Sequence, residues 1–228
     1  MIRIATICVF FLPVATASAS VLIDTFNDVQ NLSLTTATTV SDGLTPAPNA
    51  IGNARVLSLT VETANAPQAA TVGVNGSLNY TNGAGVNSFL DITWDASTDT
   101  SINQSGIIPA INLLSGGNTG IRLYYASSAS VSYNLRIWGG GGLVQWLGSM
   151  PGTGGATSAL SLPFASAAVF GTPDLSQTGA VNLFLNPGTA VNLRLDQFEA
   201  TNLSIPEPST TTLFLVAIIA WSLRSRQP

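Results

Sequence analysis

The sequence predicts an all-β protein, a jelly-roll-like antiparallel β-sandwich, and three observations predict it. Apolar and polar residues alternate with period two in one short run after another, as half-buried strands require. Glycine, proline and asparagine pairs punctuate the runs at short intervals. No internal segment keeps the apolar period of a helix.

Taken in order, strands are expected at residues 21–26, 32–40, 57–61, 69–75, 77–81, 86–94, 121–126, 131–137, 143–147, 159–164, 181–185 and 191–195. In residues 131–137 every odd position is apolar and every even one polar, and 57–61 and 191–195 repeat that pattern. Turns are marked by Asn75-Gly76, Asn82-Gly83, Gly116-Gly117, the glycine run 139–142, Pro151-Gly152 and Pro187-Gly188. Alternation also sorts the aromatic residues. Trp94 shares a face with Leu90 and Ile92 and is expected in the core. Trp138 and Tyr124 fall off the apolar faces of their strands and point outward. With Trp146, and with Tyr80 and Trp94 if exposed, they are the residues that could stack on sugar rings.

The domain opens on Asp24-Thr25-Phe26 and closes on a strand carrying Asp196. In this it resembles the jelly-roll sandwiches of carbohydrate-binding modules and galactose-binding-like domains. That resemblance implies that the first and last strands are neighbours, and that Asp24 and Asp196 could share a structural calcium ion.

Composition narrows the function classes. Charged residues make up 8% of the chain, against about a quarter in an average protein, and lysine is absent. Between residues 20 and 205, four arginines (55, 122, 136, 194) face ten acids, a net charge of −6. Such a domain lacks the cations needed to displace counterions, so nucleic acid is not an expected partner. A sparsely charged surface rich in amides and hydroxyls suits a life beside polysaccharide. Histidine is absent and the one cysteine is Cys8, so a Ser–His–Asp triad, a Cys–His pair and a histidine zinc site are excluded. Neither glycine-rich stretch, 139–142 or 152–155, is followed by Lys-Ser or Lys-Thr, so neither is a phosphate loop. What survives is carboxylate chemistry. Asp91, Asp95 and Asp99 follow one another closely, and two carboxylates could serve a glycosidase. Asp95 and Asp99 also offer alternating oxygen ligands for calcium, without the glycine and glutamate that complete an EF-hand loop. Capping of turns is the ordinary use of such aspartates. The expectation is a protein that is not an enzyme and needs no cofactor, with calcium as the one candidate ion.

The two ends carry a different message. Arg3 and the apolar stretch 4–14, expected as an N-terminal signal helix, followed by Ala15-Thr16-Ala17-Ser18-Ala19, make a signal peptide over residues 1–19. Sec export and signal peptidase are therefore expected, and a mature chain without cysteine. A β-sandwich ectodomain would then occupy residues 20–204. At the other end stand Pro206-Glu207-Pro208, an uncharged segment at 209–223, and Arg224 and Arg226. The proline-bracketed acid is stiff and extended. The apolar segment falls short of the ~20 residues of a full span, so it reaches across a bilayer only if the arginines snorkel. This order of parts resembles the PEP-CTERM sorting signal of bacterial secreted proteins, here over residues 205–228. Only Ile205, where valine is usual, departs from the pattern. The resemblance implies processing by an exosortase, transient membrane insertion through a C-terminal hydrophobic helix, and delivery to the envelope or extracellular matrix, beside exopolysaccharide. The alternative at the tail is a plain membrane anchor. For the domain, a structural matrix protein is the first reading, a carbohydrate-binding module the second and a glycosidase the third.

Overall fold

The computed structural model describes residues 19–203. The signal segment with Cys8, the sorting tail with Pro206, Glu207, Pro208, Arg224 and Arg226, and both terminal helices expected from the sequence lie outside the described residues. Within them the chain is a two-sheet antiparallel sandwich of fourteen strands with four short 3₁₀ turns.

Sheet I runs β11 (Ser158–Pro163), β8 (Gly120–Ser127), β14 (Asn192–Thr201), β6 (Leu78–Asn82), β5 (Ala70–Val74) and β2 (Gln30–Leu34). β1 (Val21–Asp24) pairs with the second half of β14, beyond the stretch held by β6. Sheet II runs β12 (Ala168–Gly171), β10 (Gly142–Met150), β9 (Val131–Gly139), β13 (Thr178–Gly188), β7 (Asn87–Trp94), β4 (Arg55–Thr63) and β3 (Thr39–Leu44). Successive strands repeatedly change sheet, so that β6–β7, β8–β9 and β13–β14 each stack one layer over the other.

Alternation explains the core. Leu57, Leu59, Leu90, Ile92, Leu135, Ile137, Val181 and Leu183 of sheet II are buried against Val72, Leu78, Leu123, Leu193 and Leu195 of sheet I. Trp94 is wholly buried between Phe26 and Phe198, with ring centroids 6.5 and 5.4 Å away. Tyr80 is equally buried and hydrogen-bonds Ser88; burial pushes its phenol up to about 12. It therefore offers no face to a ligand.

Two elements depart from the sequence-based expectation. The strand expected at 32–40 is two strands, β2 and β3, because the chain crosses from sheet I to sheet II through a bend at residues 35–38. β12 has no counterpart among the expected strands. It is a four-residue edge strand exposed throughout, so no alternation marks it.

A buried ion pair ties the opening strand to the core. Arg55 and Asp24 are both fully buried, with Arg55 Nη1 donating to Asp24 Oδ2 at 2.8 Å. The same oxygen accepts from Trp94 Nε1 at 2.7 Å, and Oδ1 accepts from the Phe26 backbone N–H at 2.6 Å. That last bond holds Phe26 in the left-handed region, at φ 55°. Arg55 Nε donates to Gln30 Oε1 at 2.6 Å, and its guanidinium lies 5.9 Å from the Phe26 ring centroid. Desolvation pushes the Asp24 carboxyl up, while Arg55, Trp94 and the Phe26 N–H pull it back.

Candidate functional site

The register of sheet II builds a cleft on its outer face. Because Ile137 and Val144 point into the core, their neighbours Trp138 and Leu143 face outward. Trp138 lies opposite Leu143, and Leu143 lies opposite Phe170 on β12, giving an apolar row across three strands. The facing wall is the loop around residues 104–110. It is pinned to β13 by Ile107 N–H donating to Gly179 O and Ile111 N–H donating to Thr178 O, both at 3.0 Å. Gln104, Ser105 and Ile108 project from it, and Gln177 closes the rim. The β9–β10 turn needs its glycines, since Gly140 and Gly141 have φ of 46° and 98°. The resulting cleft holds about 600 Å³ and has no charged lining residue.

Within it, Phe170 is 52% exposed whereas Trp138 is 8% exposed. The Arg136 guanidinium covers the Trp138 ring, 5.5 Å from its centroid. Arg136 is held there by Asn182, whose Oδ1 accepts from Nε at 3.1 Å and Nη2 at 2.7 Å. Asn182 Nδ2 in turn donates to Asp91, to Thr93 Oγ1 at 2.9 Å and to the Ile92 carbonyl at 3.3 Å. Burial pushes the Asp91 carboxyl up, opposed by the Asn182 bond and the charge of Arg136. One carboxylate, one amide and one guanidinium thus fix the back of the cleft without entering it.

The other residues singled out from the sequence fall elsewhere. Trp146 faces the core at 5% exposure, its indole N–H donating to the Pro163 carbonyl at 3.1 Å; it packs the fold and presents no platform. Tyr124 is half-buried on the outer face of sheet I, opposite Gln197 and Ala159, and so is not brought together with Trp138. β1 and β14 are neighbours, yet Asp24 is locked inside on Arg55 while Asp196 sits half-exposed against Arg194 at 2.8 Å. Asp95 is buried and accepts from the Ser97 and Asn103 backbone N–H groups at 3.0 and 2.6 Å. Asp99 is exposed and accepts from the Ser101 N–H at 2.9 Å. Both aspartates shape the loop after β7. Among the described residues no three acidic side chains gather where a metal ion could sit. Phe170 escapes sequence reasoning, since it is a lone aromatic in an uncharged Ala-Ser-Ala-Ala-Val-Phe-Gly run without period.

No protein-family model and no curated protein matches the chain. Among solved structures it is similar to the family 11 carbohydrate-binding module of the cellulosomal cellulase Lic26A-Cel5E of Clostridium thermocellum. Identity is 10% and the TM-score 0.40, over 84% of this chain and 100% of that one. It is also similar to the family 11 module from Clostridium thermocellum in complex with a β-1,3-1,4-mixed-linked tetrasaccharide, at 9% identity and TM-score 0.37, over 82% and 98% of the two chains. A carbohydrate-binding module of family 29 follows at 9% identity and TM-score 0.35, over 75% and 89%. These are distant likenesses, and the function proposed below rests on this chain's own cleft.

Proposed function

We propose that the domain is a non-catalytic carbohydrate-binding module of an exported chain, and that the cleft beside the β9–β10 turn takes an uncharged sugar. The observation that supports this is the composition of the cleft. An exposed aromatic ring, Phe170, and the apolar Leu143 and Trp138 face the amides of Gln104 and Gln177 in about 600 Å³. Small-molecule sites have this size and this balance of apolar floor and few polar groups. Sugars present an apolar ring face and a polar rim, and match it. Phe170→Ala is expected to weaken binding to neutral glycans about tenfold, the loss of roughly one stacking contact. Its thermal midpoint should match that of the native chain, because Phe170 is half in solvent on an edge strand. Isothermal titration against the best neutral glycan of an array reads this. Silence of the native chain across the array would remove the proposal.

The ends support a second element of the reading. Pro206-Glu207-Pro208, the short apolar segment and Arg224 with Arg226 suit a tail consumed during sorting, delivering the module to the envelope or matrix beside exopolysaccharide. Export by Sec, removal of residues 1–19 and processing by an exosortase-type enzyme follow from it. Intact-mass measurement on the protein from its native host is expected to show loss beginning near the proline-acid-proline box. A mass that retains Arg226 would make the tail an anchor.

A further inference from the structure

The outer face of sheet I, on the opposite side of the sandwich, carries a feature that the cleft does not absorb. In the strand register Asn31 of β2 lies opposite Gly73 of β5, and Gly73 lies opposite Asn79 of β6. Asn79 continues to Arg194 of β14, and Arg194 to Ala126 of β8. The next row is Ser33, Thr71, Thr81 and Asn192. Two depressions of about 430 and 490 Å³ lie along these rows and share Asn79 and Thr81 as a common wall. Together they form one groove across five strands, roughly 19 Å long at the usual strand spacing.

Gly73 is the residue that asks for an explanation. Its φ is not in the left-handed region, so the backbone does not require glycine. Neither does space: an added Cβ would meet nothing nearer than the mobile end of Asn31, Oδ1 at 3.3 Å. Glycine inside a strand sacrifices stability and side-chain packing, and is found where another molecule approaches the backbone closely. Here it opens the floor of the groove between two outward amides. Apart from Ala126 and Arg194, the side chains in these two outward rows are hydroxyls and amides. Their one charge, Arg194, is neutralised by Asp196 at 2.8 Å and also donates to Thr157 Oγ1 at 2.8 Å.

We infer that this groove is a second binding site, for an extended uncharged glycan chain lying across β2, β5, β6, β14 and β8. Hydroxyl-rich polymers are matched by short amide and hydroxyl side chains on a flat sheet, whereas the groove holds no unpaired cation to attract an acidic polymer or nucleic acid. The groove and the cleft lie on opposite outer faces, so the domain bridges two glycan strands.

Affinity electrophoresis of the mature chain in gels containing galactomannan, xyloglucan, arabinoxylan or alginate tests this. Gly73→Trp fills the floor and is expected to weaken retardation by a neutral polymer at least about tenfold in the Phe170→Ala background, where the cleft no longer contributes. Asn79→Ala adds no bulk to the strand and should weaken it about threefold to tenfold, the worth of a lost hydrogen bond. Equal thermal midpoints check that both variants are folded. If Phe170→Ala alone abolishes all retardation, the groove is overturned and the cleft stands. If Gly73→Trp alone abolishes it, the groove stands and the cleft falls. Retardation unchanged by both groove variants, retardation by alginate alone, or none of the native chain by any neutral polymer each overturns the inference.

Discussion

Asp24→Asn is expected to destabilise the fold by about 3–5 kcal/mol, because it leaves the Arg55 charge buried without a counter-charge. Arg55 is fully buried, its remaining partners being neutral oxygens such as Gln30 Oε1 at 2.6 Å. Asparagine keeps the shape of the aspartate but offers one acceptor oxygen where Asp24 uses two, for Arg55 and Trp94 on one side and Phe26 on the other. For a domain of this size the thermal midpoint should fall by roughly 10 °C. Asp24→Leu with Arg55→Met removes both charges, and is expected to recover most of the loss, since buried pairs are often replaceable by apolar side chains of similar volume. A double variant no more stable than Asp24→Asn would show that the polar contacts of the pair hold the fold in their own right.

Asn182→Leu is expected to cost about 3 kcal/mol. Asn182 is fully buried at the centre of sheet II and links Arg136 of β9 to Asp91 and Thr93 of β7. Hydrogen bonds to charged groups are worth about 1.5–3 kcal/mol each, and leucine leaves one cation and one carboxylate without them. A second consequence separates this from a simple packing defect. Freed from Asn182, Arg136 loses its fixed pose over Trp138, so tryptophan fluorescence and glycan affinity should both change although Asn182 does not line the cleft. A urea-unfolding cycle of Asn182→Leu with Arg136→Met should return a coupling above ~1 kcal/mol. Additive losses would mean the two side chains stabilise the sheet separately.

Much of the sandwich is legible in the sequence because half-buried strands write their inner and outer faces into alternate positions. Leu90, Ile92 and Trp94 show it directly, as does Val131 through Ile137. β12 is not legible, since an exposed edge strand of four residues buries neither face. The bend between β2 and β3 is hidden by a Ser/Thr-rich run that suits strand and turn alike. At the site, the outward direction of Trp138 follows from alternation, but its cover by Arg136 does not, because that depends on Asn182, distant in sequence. Asp24 looks like a surface ligand until Arg55, thirty-one residues on, is seen beside it. Phe170 becomes visible only when the register sets it beside Leu143.

The pairing of β1 with β14 also decides how the domain carries load. Val21 lies against Ala200, so the chain enters and leaves the sandwich at adjoining points. β14 is hydrogen-bonded along both edges, to β8 on one side and to β6 and then β1 on the other. A pull applied at Thr201 while a ligand is held on either face runs along this strand, and the ladders on its two sides must shear together instead of unzipping bond by bond. A tether leaving from that end would draw on a strand of sheet I that is bonded along both of its edges.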